Sequence, residues 1–398
     1  MSSLPVLVLN SGSSSIKFAI YETSNDGRNR VCEGAADGIG TASGKFWIEN
    51  HEGARLVDQS PVLPDLGAAF NMIADALHSG GFPAPAAIGH RMVSGGPTVH
   101  ENRLITPGLI DEMERFASFA PLHTPIAVYI MREALRIYPG VPNYVCFDSY
   151  FHRAMPAEAW HLPIPHEYTD IGVRRYGYHG LSYESIVYQL GAETPERLIV
   201  AHLGNGASIT AIRGGRCVDT SMGLTPTGGL ISGTRTGDID PGVLLFMLRS
   251  IARETPSTSE AANKLEDLAC KHAGLLGVSG LTNDMRTLRA AIAAGNPQAR
   301  MAVTLFTRSV TRWIGGFMAV LGGLDMLVFT GGIGVNDIAS RSEICASLGP
   351  LGIVLDPARN HVHGNAAISA PGSPVEIRVI PPAEDLMIVN HVLRLMKS

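Results

Sequence analysis

The chain reads as an α/β protein built from two related domains. Three observations predict this. Strands alternate with helices along its length. A strand–turn–strand unit near residue 10 recurs at about residue 204, roughly half a chain later. The polar residues best suited to chemistry fall at the carboxyl ends of apolar strands, where ligands gather in open α/β sheets. A length of 398 residues suggests two or three domains. With 45% hydrophobic and 17% charged residues, the chain is globular and not disordered. A net charge of −5 argues against a generic nucleic-acid binder, which would show a basic surplus.

The first unit is Pro5 to Ile20. Val6 to Leu9 is an apolar strand, Ser11 to Ser15 a turn, and Ile16 to Tyr21 the returning strand. Thr124 to Ile137 reads as a helix, and Tyr144 to Phe147 as a buried strand ending at Asp148. Leu198 to Ile212 repeats the opening plan around the turn Gly204-Asn-Gly-Ala-Ser208. Ser257 with Glu260 forms a capping box opening a helix that Gly274 would close. Met301 to Leu321 is the most apolar long stretch, but Arg308 and Arg312 mark it as a buried amphipathic helix, not a membrane span. The strand Met326 to Phe329 then runs into Gly331-Gly-Ile-Gly334. Pro5 and the polar run Asn10 to Ser15 interrupt the first apolar segment, so no secretory signal is expected. The five cysteines are scattered and odd in number, which suggests neither a disulfide framework nor a zinc ribbon; the expected compartment is the cytoplasm.

Four segments carry chemistry. Asn10-Ser-Gly-Ser-Ser-Ser-Ile-Lys17 exposes backbone N–H groups, hydroxyls and one cation, which suit phosphate oxygens. An ordinary hairpin turn with a surface lysine is the alternative. It is not a Walker A loop, because the second glycine and the Lys-Ser/Thr pair are absent. The similar Gly40-Thr-Ala-Ser-Gly-Lys45 is one residue short of that pattern and reads as a plain loop. His202-Leu-Gly-Asn-Gly206 lets the backbone approach a ligand closely. Paired with the first turn, it suggests two hairpins facing one cleft. Phe329-Thr-Gly-Gly-Ile-Gly-Val-Asn336 could hold a nucleoside through backbone contact, and lacks dinucleotide-type spacing. Arg235 sits in the glycine-rich Gly223 to Pro241, where an arginine can clamp a carboxylate or phosphate, or simply be solvated. His90-Arg91, Arg174-Arg175 and His179 share that ambiguity. Asp148 and Glu384 are candidate Mg²⁺ ligands. Zinc chemistry finds no support: His166-Glu167 lacks its second histidine, and His361 and His363 have no acidic or cysteine partner nearby.

Together these segments resemble the acetokinase family. The likeness rests on Asn10 to Phe18, Gly89-His-Arg91, Pro121-Leu-His123, Phe147-Asp148, Arg174 to Gly180, His202 to Ser208, Asp219 to Pro226, Gly233 to Pro241, Asn283 to Arg286, Phe329 to Gly334 and Ala383 to Leu386, in the family's order over nearly the whole chain. It implies the actin/Hsp70/sugar-kinase (ribonuclease H-like) fold: two duplicated domains around a nucleotide cleft. Residues 1–149 with 385–398 would form the first, and residues 150–384 the second, nucleotide-binding and dimerising one. It implies a homodimer with no nucleic-acid or membrane partner. The implied activity is reversible phosphoryl transfer from ATP to acetate, by direct in-line attack, giving acetyl phosphate and ADP. A propionate or other short-chain acyl kinase is the alternative, and a non-catalytic actin/Hsp70-like nucleotide switch is the alternative of another class.

The resemblance also implies residue roles. Asp148, His179 and Arg235 match catalytic positions. Arg91, Val93, Leu122 and Pro226 match substrate positions, and Tyr178 would join the acyl pocket. Lys17, His202, Leu203, Gly204, Asn205, Gly206, Asp284, Met285, Arg286, Gly332, Ile333, Gly334, Val335 and Asn336 match ATP- or ADP-binding positions. Asn10 and Glu384 match the Mg²⁺ site, with Mn²⁺ as the substitute metal. A carboxylate is already ionised at neutral pH, so the obstacle to its attack is repulsion by the γ-phosphate, and positioning plus positive charge are what the protein must supply. Ser94 stands where members usually have His, and Tyr178 where they usually have Phe. Thr124, Thr227-Gly228 and Val335 also depart from the usual residues. These departures bear on which carboxylate is preferred.

Overall fold

The computed structural model describes residues 3–12, 14–24, 27–120 and 123–397, and of Ser118 only the backbone. Leu122, and Ser13 of the first turn, lie outside the described residues. The chain divides into two compact units: Met1–Tyr150 with Ala383–Ser398, and Phe151–Pro382. Ala383 and Glu384 go with the first unit because they begin the helix Glu384–Leu395, which packs on that unit's sheet.

The first unit holds eight strands: β1 (Leu4–Ser11), β2 (Ser15–Ser24), β3 (Gly27–Asp37), β4 (Lys45–Asn50), β5 (Arg55–Gln59), β6 (Ala87–Met92), β7 (Arg103–Leu104) and β8 (Asn143–Phe147). Their order is β5-β4-β3-β2-β1-β6-β8-β7. The first five form an antiparallel meander, while β1, β6 and β8 are parallel. The second unit holds β9 (Arg197–Leu203), β10 (Ala207–Arg213), β11 (Arg216–Thr220), β12 (Met326–Thr330), β13 (Ala366–Ala367) and β14 (Glu376–Val379), in the order β11-β10-β9-β12-β14-β13. Three antiparallel strands followed by two parallel ones thus recur in the same order in both units. The repeat suggested by two short turns therefore extends to whole sheets.

Central strands carry unbroken apolar runs because both faces are covered. β8 and β12 are buried at every residue. In the first unit, Leu7, Leu9, Ile16, Phe18 and Ile20 pack beneath the helix Leu66–Ser79 through Phe70 and Ile73. In the second, Phe306, Val310, Ile314 and Phe317 of the helix Pro297–Leu321 cover Ile199, Ile209 and Phe329. Each such side chain contributes roughly 1.5–3 kcal/mol on burial.

Helix ends follow local signals. Thr124–Ile137 forms as expected, with Pro125 in its first turn. The Ser257 hydroxyl accepts from Glu260 N at 3.1 Å and opens Thr258–Lys271. Gly274 does not close that helix, which ends at His272; with φ of +61° it instead opens the helix Gly274–Ser279. The long apolar helix starts before Met301, at Pro297, because the Asn296 side chain caps it through Ala299 N at 2.9 Å. Among the described residues, no helix is long and apolar enough to cross a membrane.

Candidate active site

In the first unit, three neighbouring parallel strands bring their carboxyl ends to one edge. Asn10 lies at the end of β1, paired across the hairpin with Lys17. Arg91 lies near the end of β6, and Asp148 directly follows β8. The Arg91 guanidinium donates to both Asp148 oxygens, at 3.1 and 2.8 Å, and to Asn10 Oδ1 at 3.2 Å. Asp148 is fully buried. Burial works against the Arg91 charge, but Asp148 and Glu384 outweigh it and hold the guanidinium protonated above the ordinary arginine range. Ser149 N donates to the Val93 carbonyl at 3.2 Å, so Val93 is held beside this cluster by its backbone.

Two carboxyls arrive at the start of the helix Glu384–Leu395. Burial raises the Glu384 pKa, Asp148 adds to the rise, and Arg91 and Lys17 oppose it. Asp385 is pushed up to about 6, by burial first and by the neighbouring Glu384 charge second. No group of three or more His, Cys, Asp or Glu side chains is gathered to hold a metal among the described residues. Mg²⁺ does not require one: it commonly takes one or two protein oxygens, with phosphate and water completing its shell. Asn10 and Glu384 offer hard oxygen donors, and Glu384 lies within electrostatic reach of Arg91, Asp148 and Lys17. The donor set fits that ion.

In the second unit, His179 is the one non-glycine residue with positive φ among those described, at 56°, directly before the helix Gly180–Leu190. Such a backbone costs of order 1–3 kcal/mol and aims the side chain. Its Nδ1 lies 2.8 Å from Ser208 Oγ, which is itself bonded to the Tyr183 hydroxyl. The ring stacks on His202 at 4.3 Å, and His202 Nδ1 lies 2.8 Å from Ser182 Oγ. Arg235 donates to the Pro226 carbonyl at 3.2 Å. A Cβ built on Gly206 would lie 3.3 Å from both Arg235 Nη1 and His179 Nε2. The missing side chain at Gly206 therefore makes room for both groups. Backbone bonds from Ala273, Leu275 and Leu276 to Thr234, Ser232 and Gly233 pin the loop that carries Arg235.

The same unit holds a pocket of about 960 Å³. Gly204, Asn205, Asp284, Met285, Arg286, Gly332, Ile333 and Asn336 line it, as do Asn283, Arg289, Asp337 and His363, which sequence reasoning did not assign. Arg289 is ion-paired to Asp337 and Glu343 at 2.9 and 2.6 Å. Leu203, Gly334 and Val335 do not line the pocket. They are buried because β9 runs through Leu203 and because Gly331–Asn336 is a short helix, not an open loop. His202 and Gly206 sit with His179 and Arg235 instead.

The other candidates also have partners within the fold. His90 is buried against Asn143, at 2.7 Å from Oδ1. Arg175 holds the Ala159, Thr220 and Ser221 carbonyls, and Arg174 stacks on Trp160 and Tyr176. The buried Tyr178 phenol donates to the Leu224 carbonyl, and Ser94 Oγ accepts from Gly96 N at 3.2 Å.

A sequence profile described as the acetokinase family matches residues 5–390. An acetate kinase of Rhodopseudomonas palustris is 41% identical over 98% of both chains. One from Phocaeicola vulgatus is 37% identical over 99% of this chain and 100% of its own. Among solved structures, a propionate kinase from Francisella tularensis superposes with a TM-score of 0.89 at 34% identity, over 98% of this chain and 99% of that one. An acetate kinase of Porphyromonas gingivalis gives 0.86 at 33%, over 99% and 100%.

Proposed function

The chain belongs to the acetokinase family, and from that premise we propose that it transfers the γ-phosphoryl group of ATP to acetate, reversibly, giving acetyl phosphate and ADP. The observation that carries the acceptor side is Arg91. Its fork is fixed by Asp148 and Asn10 at the strand ends, so a guanidinium is held ready for a carboxylate. Val93, Leu122 and Pro226 would surround the acyl group. Arg235 and His179 would neutralise charge on the phosphoryl group in transfer, and Asp148 orients Arg91 instead of removing a proton. The pocket lined by Gly204, Asp284 and Gly332 would take the nucleoside, with Lys17 and Asn205 on its phosphates. Asn10 and Glu384 would hold Mg²⁺, which when bound offsets phosphate charge.

A propionate kinase is the second reading, favoured by the close superposition on the Francisella structure. One methylene is worth only about 1–3 kcal/mol, so the two acceptors are near neighbours energetically. A coupled assay comparing kcat/KM for acetate, propionate and butyrate decides: the highest value is expected with acetate, and a higher one with propionate would overturn the assignment. ATP binding without acyl phosphate formation on any of them would point to a nucleotide switch.

We further propose that two copies associate through the helix Pro241–Ala252. None of its residues is buried, yet it exposes Val243, Leu245 and Phe246, the last at 72%. A cytoplasmic setting suits an ATP-dependent enzyme whose five cysteines are free thiols.

A further inference from the structure

Arg341 is fully buried and has no carboxylate of its own. Nε donates to Asn360 Oδ1 at 2.7 Å, Nη1 to the Gly334 and Val335 carbonyls at 2.9 and 2.7 Å, and Nη2 to the Asn360 and Val362 carbonyls at 2.7 and 3.0 Å. Five donors thus meet five neutral oxygens. The nearby Asp337 carboxylate is committed to Arg289 and Ser340. A buried, unneutralised charge is a poor source of stability, since an apolar side chain would commonly serve as well. What it supplies here is geometry.

The oxygens belong to two separate stretches of chain. Gly334 and Val335 end the short helix whose Gly332, Ile333 and Asn336 line the nucleotide pocket. Asn360 and Val362 lead into His363, which lines the same pocket. Earlier carbonyls of that helix are satisfied locally: Gly332 O by Asn336 Nδ2 at 2.9 Å, and Ile333 O by Asp337 N at 2.8 Å. Those of Gly334 and Val335 depend on Arg341. Asn360 completes the brace through Nδ2, which donates to the Ile338 carbonyl and Ser342 Oγ.

We infer that Arg341 is a positioning residue for the nucleotide: it fastens the Gly332–Asn336 wall of the pocket to the 360–363 wall and thereby sets nucleotide affinity. This rests on assigning the pocket to the nucleotide. The test is calorimetric titration of the full chain with Mg·ADP, alongside steady-state kinetics. Arg341→Lys keeps the charge but not the five-donor fork, and is expected to weaken ADP binding at least tenfold and raise KM for ATP in parallel. KM for acetate should stay within twofold, which general loosening of the fold would not spare. Folded Arg341→Lys that binds ADP within twofold of the parent overturns the inference. If that variant does not fold, Asn360→Ala decides by the same criterion. Ile333→Trp, which fills the pocket, tests the underlying assignment separately: unchanged ADP binding there would refute the nucleotide pocket itself.

Discussion

Arg91 and Arg235 illustrate how one residue type serves two physical situations. Arg91 balances buried carboxylates, so Arg91→Ala should remove activity and also leave Asp148 uncompensated, at a cost of roughly 3–5 kcal/mol. Arg235 bonds a backbone carbonyl, so Arg235→Ala should lower kcat by about 10³-fold or more while Tm moves little. Rates near the parent value in both variants would sink the proposed site. His90 gives a pH prediction. Burial lowers its pKa to about 4, so between about pH 4 and 6.5 the unfolded chain binds the extra proton. Stability is then complete above about pH 6.5 and falls on acidification, by roughly 3 kcal/mol in all. Denaturant midpoints for His90→Gln should show a flatter acid slope than the parent, and equal slopes would reject this account. Little of this could be read from the letters. His90 and Arg91 are adjacent and equally polar, and only strand alternation sends one into the core and the other to the site. Arg341 was invisible for a similar reason: nothing local marks an arginine on the helix Ile338–Cys345 whose partners lie around residue 360.

At the scale of elements, the hairpins and long helices were legible because apolar periodicity and capping residues act over a few positions. The six-residue helix Gly331–Asn336 was not, because three of its residues are glycine and its last carbonyls are held by the Arg341 side chain. The expectation that the last helix packs back on the first unit rested on the family resemblance alone, because nothing local in the sequence marks its contact with β6. Gly89 is what lets that helix approach: a Cβ there would collide with Ile388 Cγ2 and lie 3.0 Å from Val392 Cγ2. Gly89→Ala should therefore lower Tm, by about 1–3 kcal/mol of stability, and depress activity by displacing Glu384. Thermal melts paired with rates at saturating Mg·ATP would check it; an unchanged Tm would mean the helix has slack. Tyr178→Phe removes one buried bond to the Leu224 carbonyl and should cost about 1–3 kcal/mol in denaturant titration.

For the whole molecule, the proposed association through Pro241–Ala252 predicts that Phe246→Glu yields a monomer by light scattering, whereas the parent chain gives twice that mass. A parent chain that is itself monomeric would refute the interface. The first unit is also discontinuous in sequence: the chain leaves it at Tyr150 and returns at Ala383. During synthesis, Asn10, Arg91 and Asp148 emerge long before Glu384, and the whole of Phe151–Pro382 is translated in between. Domains generally complete themselves in order of emergence, but here the unit begun first is the one finished later. A chain ending before Ala383 would lack the helix Glu384–Leu395 and leave β6 uncovered where Ile388 and Val392 pack over Gly89. The first sheet can therefore be fully covered only after all of Phe151–Pro382 has been made, so the unit begun first waits for the last residues of the chain.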